Sequence, residues 1–268
     1  AYRFSIAWTR ILPKGRGRVN PKGVEHYHKV IDTCMKYDIT PIVTMFHFDL
    51  PYELEKEGGW NNPNTIEAFA EYAEVLFREY GEKVPYFISI NEQNVMILKG
   101  AVIGTNLEEE NQWKKLYQQN HYMQLAQARA NILCHKLAPK AKIGPAPNIS
   151  PAYPKSEKPE DYLAAMNASA IRNWLYLDLA VYGEYNFQAW NYLKKKNIIP
   201  KIAPGDMEML KEAKPDFIAV NYYNTMTVAY CPEECNISGE CGDQQIALTE
   251  PGYYRQVSNN SLSETKFG

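Results

Sequence analysis

The sequence predicts an α/β fold in which a parallel sheet is covered by helices, and three observations predict it. Short, almost continuously apolar runs alternate with longer segments of helical periodicity, the pattern of strands buried on both faces. No fixed-period repeat, heptad array or low-complexity tract breaks that alternation. The apolar runs also end, one after another, in polar side chains.

The first strand is 2–8, YRFSIAW. A Gly-rich turn leads to a helix over 23–38, where Val24, Tyr27, Ile31 and Met35 recur at helical spacing. A second strand, 40–48, precedes an irregular segment containing EGGWNN and then a helix over 64–81. Asn64 is its candidate N-cap, with Glu67 three residues later as capping-box partner. The third strand is 86–90, a long helix spans 112–138, and a fourth strand runs over 141–148. Helices over 159–180, 186–196 and 206–213 lead to a fifth strand at 216–223.

Bulk properties narrow the function. With 268 residues, 45% apolar and 22% charged, residues 1–268 read as a single globular domain. A net charge of −2 gives no electrostatic reason to expect nucleic acid or an anionic membrane as partner. No apolar run approaches the roughly 18 residues of a spanning helix. Five cysteines, an odd and thinly spread number, point to reduced thiols and a cytoplasmic location. Cys231, Cys235 and Cys241 cluster, but no His follows position 135 to complete a zinc site, so a plain loop with free thiols is expected.

Two architectures fit the alternation, an open doubly wound sheet and a (β/α)8 barrel. The open sheet wants a Gly-rich phosphate turn after its first strand; GRGR at 15–18 lacks that spacing, and no helix opens on it. The strand ends decide. They carry Arg3, Ser5 and Trp8, then His47 and Asp49, then Asn91 and Glu92, then Asn148, then Asn221 and Tyr223. In a (β/α)8 barrel such ends converge on one face, where active sites sit. Glu92 stands out, because a glutamate buried without a partner costs several kcal/mol or keeps its proton. No serine-hydrolase elbow, phosphate loop or zinc-binding His pair is present. Glu, Asn, His and Tyr together suit hydroxyl groups and so a sugar.

YRFSIAWTRILPKGRGRVNPKGVEHYHKVID, HFDLP, EGGWNN, SINE and DFIAVNYY, taken in order along the whole chain, resemble glycoside hydrolase family 1, the β-glucosidase and 6-phospho-β-glucosidase family. The resemblance implies a retaining glycosidase on a (β/α)8 TIM barrel, with two glutamates about 5–5.5 Å apart. Glu92 matches the acid/base. Asn91 matches the residue that bonds the sugar 2-hydroxyl, and His47 the glycone-binding histidine. Arg3 and Tyr223 match the groups that hold the nucleophile carboxylate, with Asn221 in a supporting role. The implied substrate is a small β-glucoside or phosphorylated disaccharide, and no cofactor or metal is implied.

Asp49, Trp8 and Trp60 are assigned structural roles, Lys194–Lys196 a solvated helix face, and the four Asn-x-Ser sequons carry no weight. The sequence departs from the family pattern at Gln93, which is expected to reshape only the following loop. It also departs at Phe48, a slight lean toward phosphoglycosidases. Glu250, in LTEPG, imitates the nucleophile motif, but the stretch before it lacks the helical crossover that a further parallel strand requires. The chain is therefore read as an incomplete barrel, about strands two to six of eight, with the nucleophile outside it and little turnover expected in isolation. The alternative is a non-catalytic sugar-binding relative on the same barrel.

Overall fold

The computed structural model describes residues 1–103, 112–234 and 249–257. Strands β1 (Tyr2–Ser5), β2 (Pro41–Phe46), β3 (Tyr86–Asn91) and β4 (Lys142–Ala146) form one parallel sheet in chain order. Their C-terminal ends therefore share one rim.

β1 is shorter than its apolar run. Side chains capture the next backbone donors: Ala7 N–H bonds the Tyr27 hydroxyl at 2.9 Å and Trp8 N–H the Asp49 carboxylate at 3.0 Å. Trp8 then opens the short helix α1 (Trp8–Ile11), and α2 (Pro21–Lys36) follows. On α2, Val24, Tyr27 and Ile31 are buried as their spacing predicts, but Met35 is half exposed and Cys34 takes the inner position.

α3 (Tyr52–Lys56) and a 3-10 turn (Gly59–Asn61) occupy the irregular segment, and α4 (Asn64–Tyr80) follows. Asn64 does not cap α4. It is the first helical residue, and its N–H is held by the Asn62 side chain at 3.0 Å. Glu67, the expected capping partner, instead pairs with Arg129 on α6 (Gln112–Leu137), which packs against α4. Beneath the rim, Trp8 stacks on Tyr72 with ring centroids 5.0 Å apart and meets Phe46, Trp60 and Phe69 edge-on or tilted. Such ring pairs add about 0.5–1.5 kcal/mol each beyond burial.

α5 (Gln93–Ile103) leaves the end of β3 directly. After β4 come β5 (Asn148–Ile149) and β6 (Ala152–Pro154). The expected helix over 159–180 is α7 (Pro159–Ser169), a π-helical turn (Ala170–Trp174) and α8 (Leu175–Tyr182) in succession. α9 (Phe187–Lys195) and α10 (Asp206–Glu212) match expectation closely.

The fifth expected strand, 216–223, is regular only at β7 (Asn221–Tyr222). Its N–H groups do run along β4: Asp216 bonds the Ile143 carbonyl, Ala219 that of Pro145 and Asn221 that of Pro147, at 2.8, 3.0 and 3.0 Å. The return bonds are missing because Pro145 and Pro147 have no N–H to give. β8 (Met226–Ala229) pairs β6 in parallel and β9 (Arg255–Val257) antiparallel, where the sequence suggests only a long loop. Glu250 sits in an isolated bridge with Tyr254 beside this small sheet.

The cysteine expectation fails at one residue. Cys231 is disulfide-bonded, while Cys34 and Cys134 are free and buried. The bond removes the cysteine argument for a reducing compartment at this position. Cys235 and Cys241, and the sequons at Asn236 and Asn259, lie outside the described residues. Among the described residues no helix is long and apolar enough to cross a membrane.

Candidate active site

The rim is built from two sharp corners. β2 ends at Phe46, and the chain turns through Phe48 at φ +65°. Asp49 closes the turn, accepting the His47 N–H at 3.1 Å on one oxygen and the Trp8 N–H at 3.0 Å on the other. Burial raises the Asp49 pKa, while these N–H bonds and His47 oppose the rise. Asp49 thus holds two backbone N–H groups of the corner, while Trp8 and Trp60 are buried beneath it.

β3 ends at Asn91, and Glu92 turns the chain at φ +45° into α5. A left-handed conformation at a residue with a Cβ costs on the order of 1–3 kcal/mol and persists only where the surroundings impose it. Here they do. Glu92 N–H bonds the Ala146 carbonyl at 2.8 Å, and its own carbonyl accepts from Val95 N–H at 2.9 Å. The side chain is half-buried. Oε1 accepts the Asn148 amide N–H at 2.9 Å.

Arg3 gathers the neighbouring strand ends. Its guanidinium donates to Thr44 Oγ1 at 2.8 Å, to Asn221 Oδ1 at 3.0 Å and to Asn91 Oδ1. Asn221 also donates to Asn91 Oδ1, at 2.9 Å. The buried Asn91 therefore spends its oxygen on two donors, which orients its amide. Burial lowers the Arg3 pKa more than the nearby Glu92 and Tyr223 raise it, and the group stays a fixed cation.

Ser5 Oγ bonds His47 Nδ1 at 3.1 Å. Burial, and then the Arg3 charge, lower the His47 pKa more than Glu92 and Asp49 raise it. The imidazole is neutral at pH 7. Tyr223 is 72% exposed at the same rim, not a packed core tyrosine.

All six predicted site residues, Arg3, His47, Asn91, Glu92, Asn221 and Tyr223, thus lie on one rim. Glu250 does not. Its carboxylate pairs with Lys196 at 2.6 Å and accepts the Tyr192 hydroxyl at 3.1 Å. The lysine stretch is not simply solvated either, since Lys195 pairs with Glu233 at 2.9 Å and both lysines lie over the Tyr253 ring.

Two features were missed. Gln93 does more than reshape a loop: buried directly beneath the rim, it donates to Asn120 Oδ1 at 2.6 Å and accepts from Gln127, which in turn accepts from Ser89 at 2.7 Å. Asn148 stands among the polar strand ends in the sequence, yet nothing there links it to Glu92 or marks it as 4% exposed. That burial also removes it as a glycan acceptor. Its own partner, Arg172, is a lone charge in the apolar helical run ASAIRNWLYL, the one sequence signal that could have drawn attention to it.

Chemically, the rim offers one carboxyl group able to give or take a proton, a fixed cation, a neutral imidazole and oriented amides. Among the described residues no three His, Cys, Asp or Glu side chains are placed to hold a metal ion. The fold and this rim define part of a (β/α)8 barrel with a carboxylate-centred polar site at the strand ends.

Residues 1–265 match the sequence profile of glycosyl hydrolase family 1. The chain belongs to that family. It is 36% identical to the aryl-phospho-β-D-glucosidase BglC of Bacillus subtilis over 100% of its own length and 57% of that protein. It is 38% identical to a 6-phospho-β-glucosidase of Dickeya chrysanthemi over 99% of its length and 55% of that protein. Among solved structures, the β-glucosidase from Thermotoga maritima in complex with glucoimidazole superposes with a TM-score of 0.82 at 32% identity, covering 97% of this chain and 54% of that one. The chain spans about half the length of the curated relatives it matches.

Proposed function

We propose that this chain carries the acid/base half of a retaining β-glycosidase acting on β-glucosides or 6-phospho-β-glucosides. Glu92 gives its proton to the glycosidic oxygen as the bond from that oxygen to the anomeric carbon breaks. A second carboxylate, not among the described residues of this rim, adds to the anomeric carbon; Glu92 then takes a proton from the water that releases the sugar. His47 and Asn91 bind the glycone, with Asn91 on the 2-hydroxyl. Arg3, Tyr223 and Asn221 orient the second carboxylate, the fixed cation of Arg3 favouring its ionised form.

One observation supports this reading most. Glu92 is held in a strained backbone corner on the rim with one carboxyl oxygen fixed by Asn148, and no described residue bonds the other. Relatives named for aryl-phospho-β-D-glucosidase and β-glucosidase activity support the substrate class.

In a full-length protein carrying this chain, Glu92→Gln is expected to slow cleavage of β-glucosides with poor leaving groups by about 10²–10⁴-fold, the usual worth of a general acid. Activated dinitrophenyl glucosides should lose far less in the glycosylation step. Equal losses on both would remove the acid role. Comparing aryl β-glucosides with and without a 6-phosphate identifies the preferred glycone.

A further inference from the structure

The hydrogen bonds of Glu92 lead away from the rim and into the helix layer. Asn148 donates through Nδ2 to Glu92 Oε1 at 2.9 Å, which leaves Oδ1 of the same amide facing inward. That oxygen accepts from Arg172 Nη2 at 2.5 Å, and Nη1 of the same fork bonds the Asn148 carbonyl at 3.1 Å. Asn94 closes the ring, accepting the Asn148 N–H at 3.0 Å and donating to its carbonyl at 2.6 Å. Asn148 is gripped by side chain and backbone together.

Arg172 reaches this position from the π-helical turn between α7 and α8. Successive side chains on a regular helix diverge by about 100°, so neighbours seldom serve one target. In the widened turn Arg172 and Asn173 both work on the same strand edge. Asn173 accepts the Ser150 N–H at 3.2 Å and donates to the Ser150 carbonyl at 2.9 Å. π-Turns of this kind concentrate at functional sites.

The energetics ask for a reason. Arg172 is 1% exposed, and among the described residues no carboxylate bonds it and its Nε has no partner. A buried cation without a contacting anion costs several kcal/mol, and an apolar residue would fill the space more cheaply. Its contribution is orientation. A guanidinium has only donors, so the Asn148 amide must present its oxygen to Arg172 and its N–H to Glu92. Were the amide reversed, its oxygen would face Glu92 and accept the acid's own proton, and the NH₂ group would abut the guanidinium donors. With the amide as found, Oε1 acts as an acceptor and the transferable proton is confined to Oε2.

We propose that Arg172 is a positioning residue for proton donation: acting through Asn148, it fixes which oxygen of Glu92 carries the proton. The inference rests on the acid/base reading of Glu92 and deepens it.

The test uses the full-length protein carrying this chain. Asn148→Asp is nearly isosteric and can still meet Arg172, but it removes the donor to Glu92; Arg172→Met removes the fork. Each is expected to lower kcat/KM on a poor-leaving-group β-glucoside by about 10- to 100-fold, below the full worth of a general acid. The loss in kcat/KM on a dinitrophenyl β-glucoside, which reports the glycosylation step alone, should stay within about 3-fold, because that leaving group needs no proton. The double variant should be no slower than the worse single one, since the two residues act as one unit. If Arg172→Met does not fold, Asn148→Asp alone carries the leaving-group comparison. Equal losses on both substrates, or multiplicative losses in the double variant, overturn the proposal. Glu92→Gln in parallel separates the failures: a leaving-group dependence in Glu92→Gln but not in Asn148→Asp or Arg172→Met sinks this inference alone. No dependence in Glu92→Gln sinks both.

Discussion

The sheet of β1 to β4 and the strips of β5 to β9 are held by different means. In the first, parallel ladders join four strands, with one register shift between Ile88 and Asn91 where β3 meets β4, and Val43, Phe46, Phe87, Ile90 and Ile143 pack at 1% exposure or less. In the second, ladders last two to three residues, and side chains take over the bonding. Asp216 accepts the Ile143 N–H at 2.9 Å and faces His135 Nε2 at 3.0 Å, and Asn173 clamps Ser150. Backbone periodicity places polar groups in one region, and specific amides place them in the other. Glu92 sits on the seam, its backbone set by β3 and β4 and its carboxyl by Asn148.

Substitutions should separate the two regions. Trp8→Ala empties the aromatic floor beneath the first sheet and is expected to cost about 3–5 kcal/mol in urea unfolding. A loss below about 1 kcal/mol would show that this core tolerates collapse and is not the stiffer region. Gly144→Ala comes next. A Cβ at 144 would lie 2.0 Å from the Phe217 carbonyl oxygen, so the segment leading into β7 must move off β4. About 1–3 kcal/mol should be lost, with amide-exchange protection falling at Asp216, Ala219 and Asn221 while β2 and β3 stay protected.

The smallest effect concerns His47. Its pKa is depressed in the folded state, so below the ordinary histidine value the unfolded chain binds the proton more readily. Stability contributed by the neutral ring is full above about pH 6.5 and falls as the pH drops through that value toward the folded pKa. Unfolding at pH 7.5 and 5.0 should show a larger acid loss for the parent than for His47→Gln. The same loss in both would mean that the ring is not desolvated on the rim.

Residue patterning exposed much of the site and little of its wiring. Arg3, His47, Asn91, Glu92, Asn221 and Tyr223 could be picked out because strands deliver side chains in register to a common end. The cap at Asn62, the burial of Gln93 and the disulfide at Cys231 could not. Each depends on a neighbour distant in the chain or on the local course of a loop, and residue spacing carries neither.

From the order of residues alone came the alternation of strands and helices, the rim on which the polar groups gather and the resemblance to a glycosidase family. These follow from periods of two and of about 3.6 residues and from ordered motifs, all local properties. The left-handed corner at Glu92, the direction in which the Asn148 amide points and the place of the Arg172 charge behind it arise only when segments 24 to 56 positions apart are packed together. A hydrogen bond depends on distance and angle, and neither exists until the chain has folded.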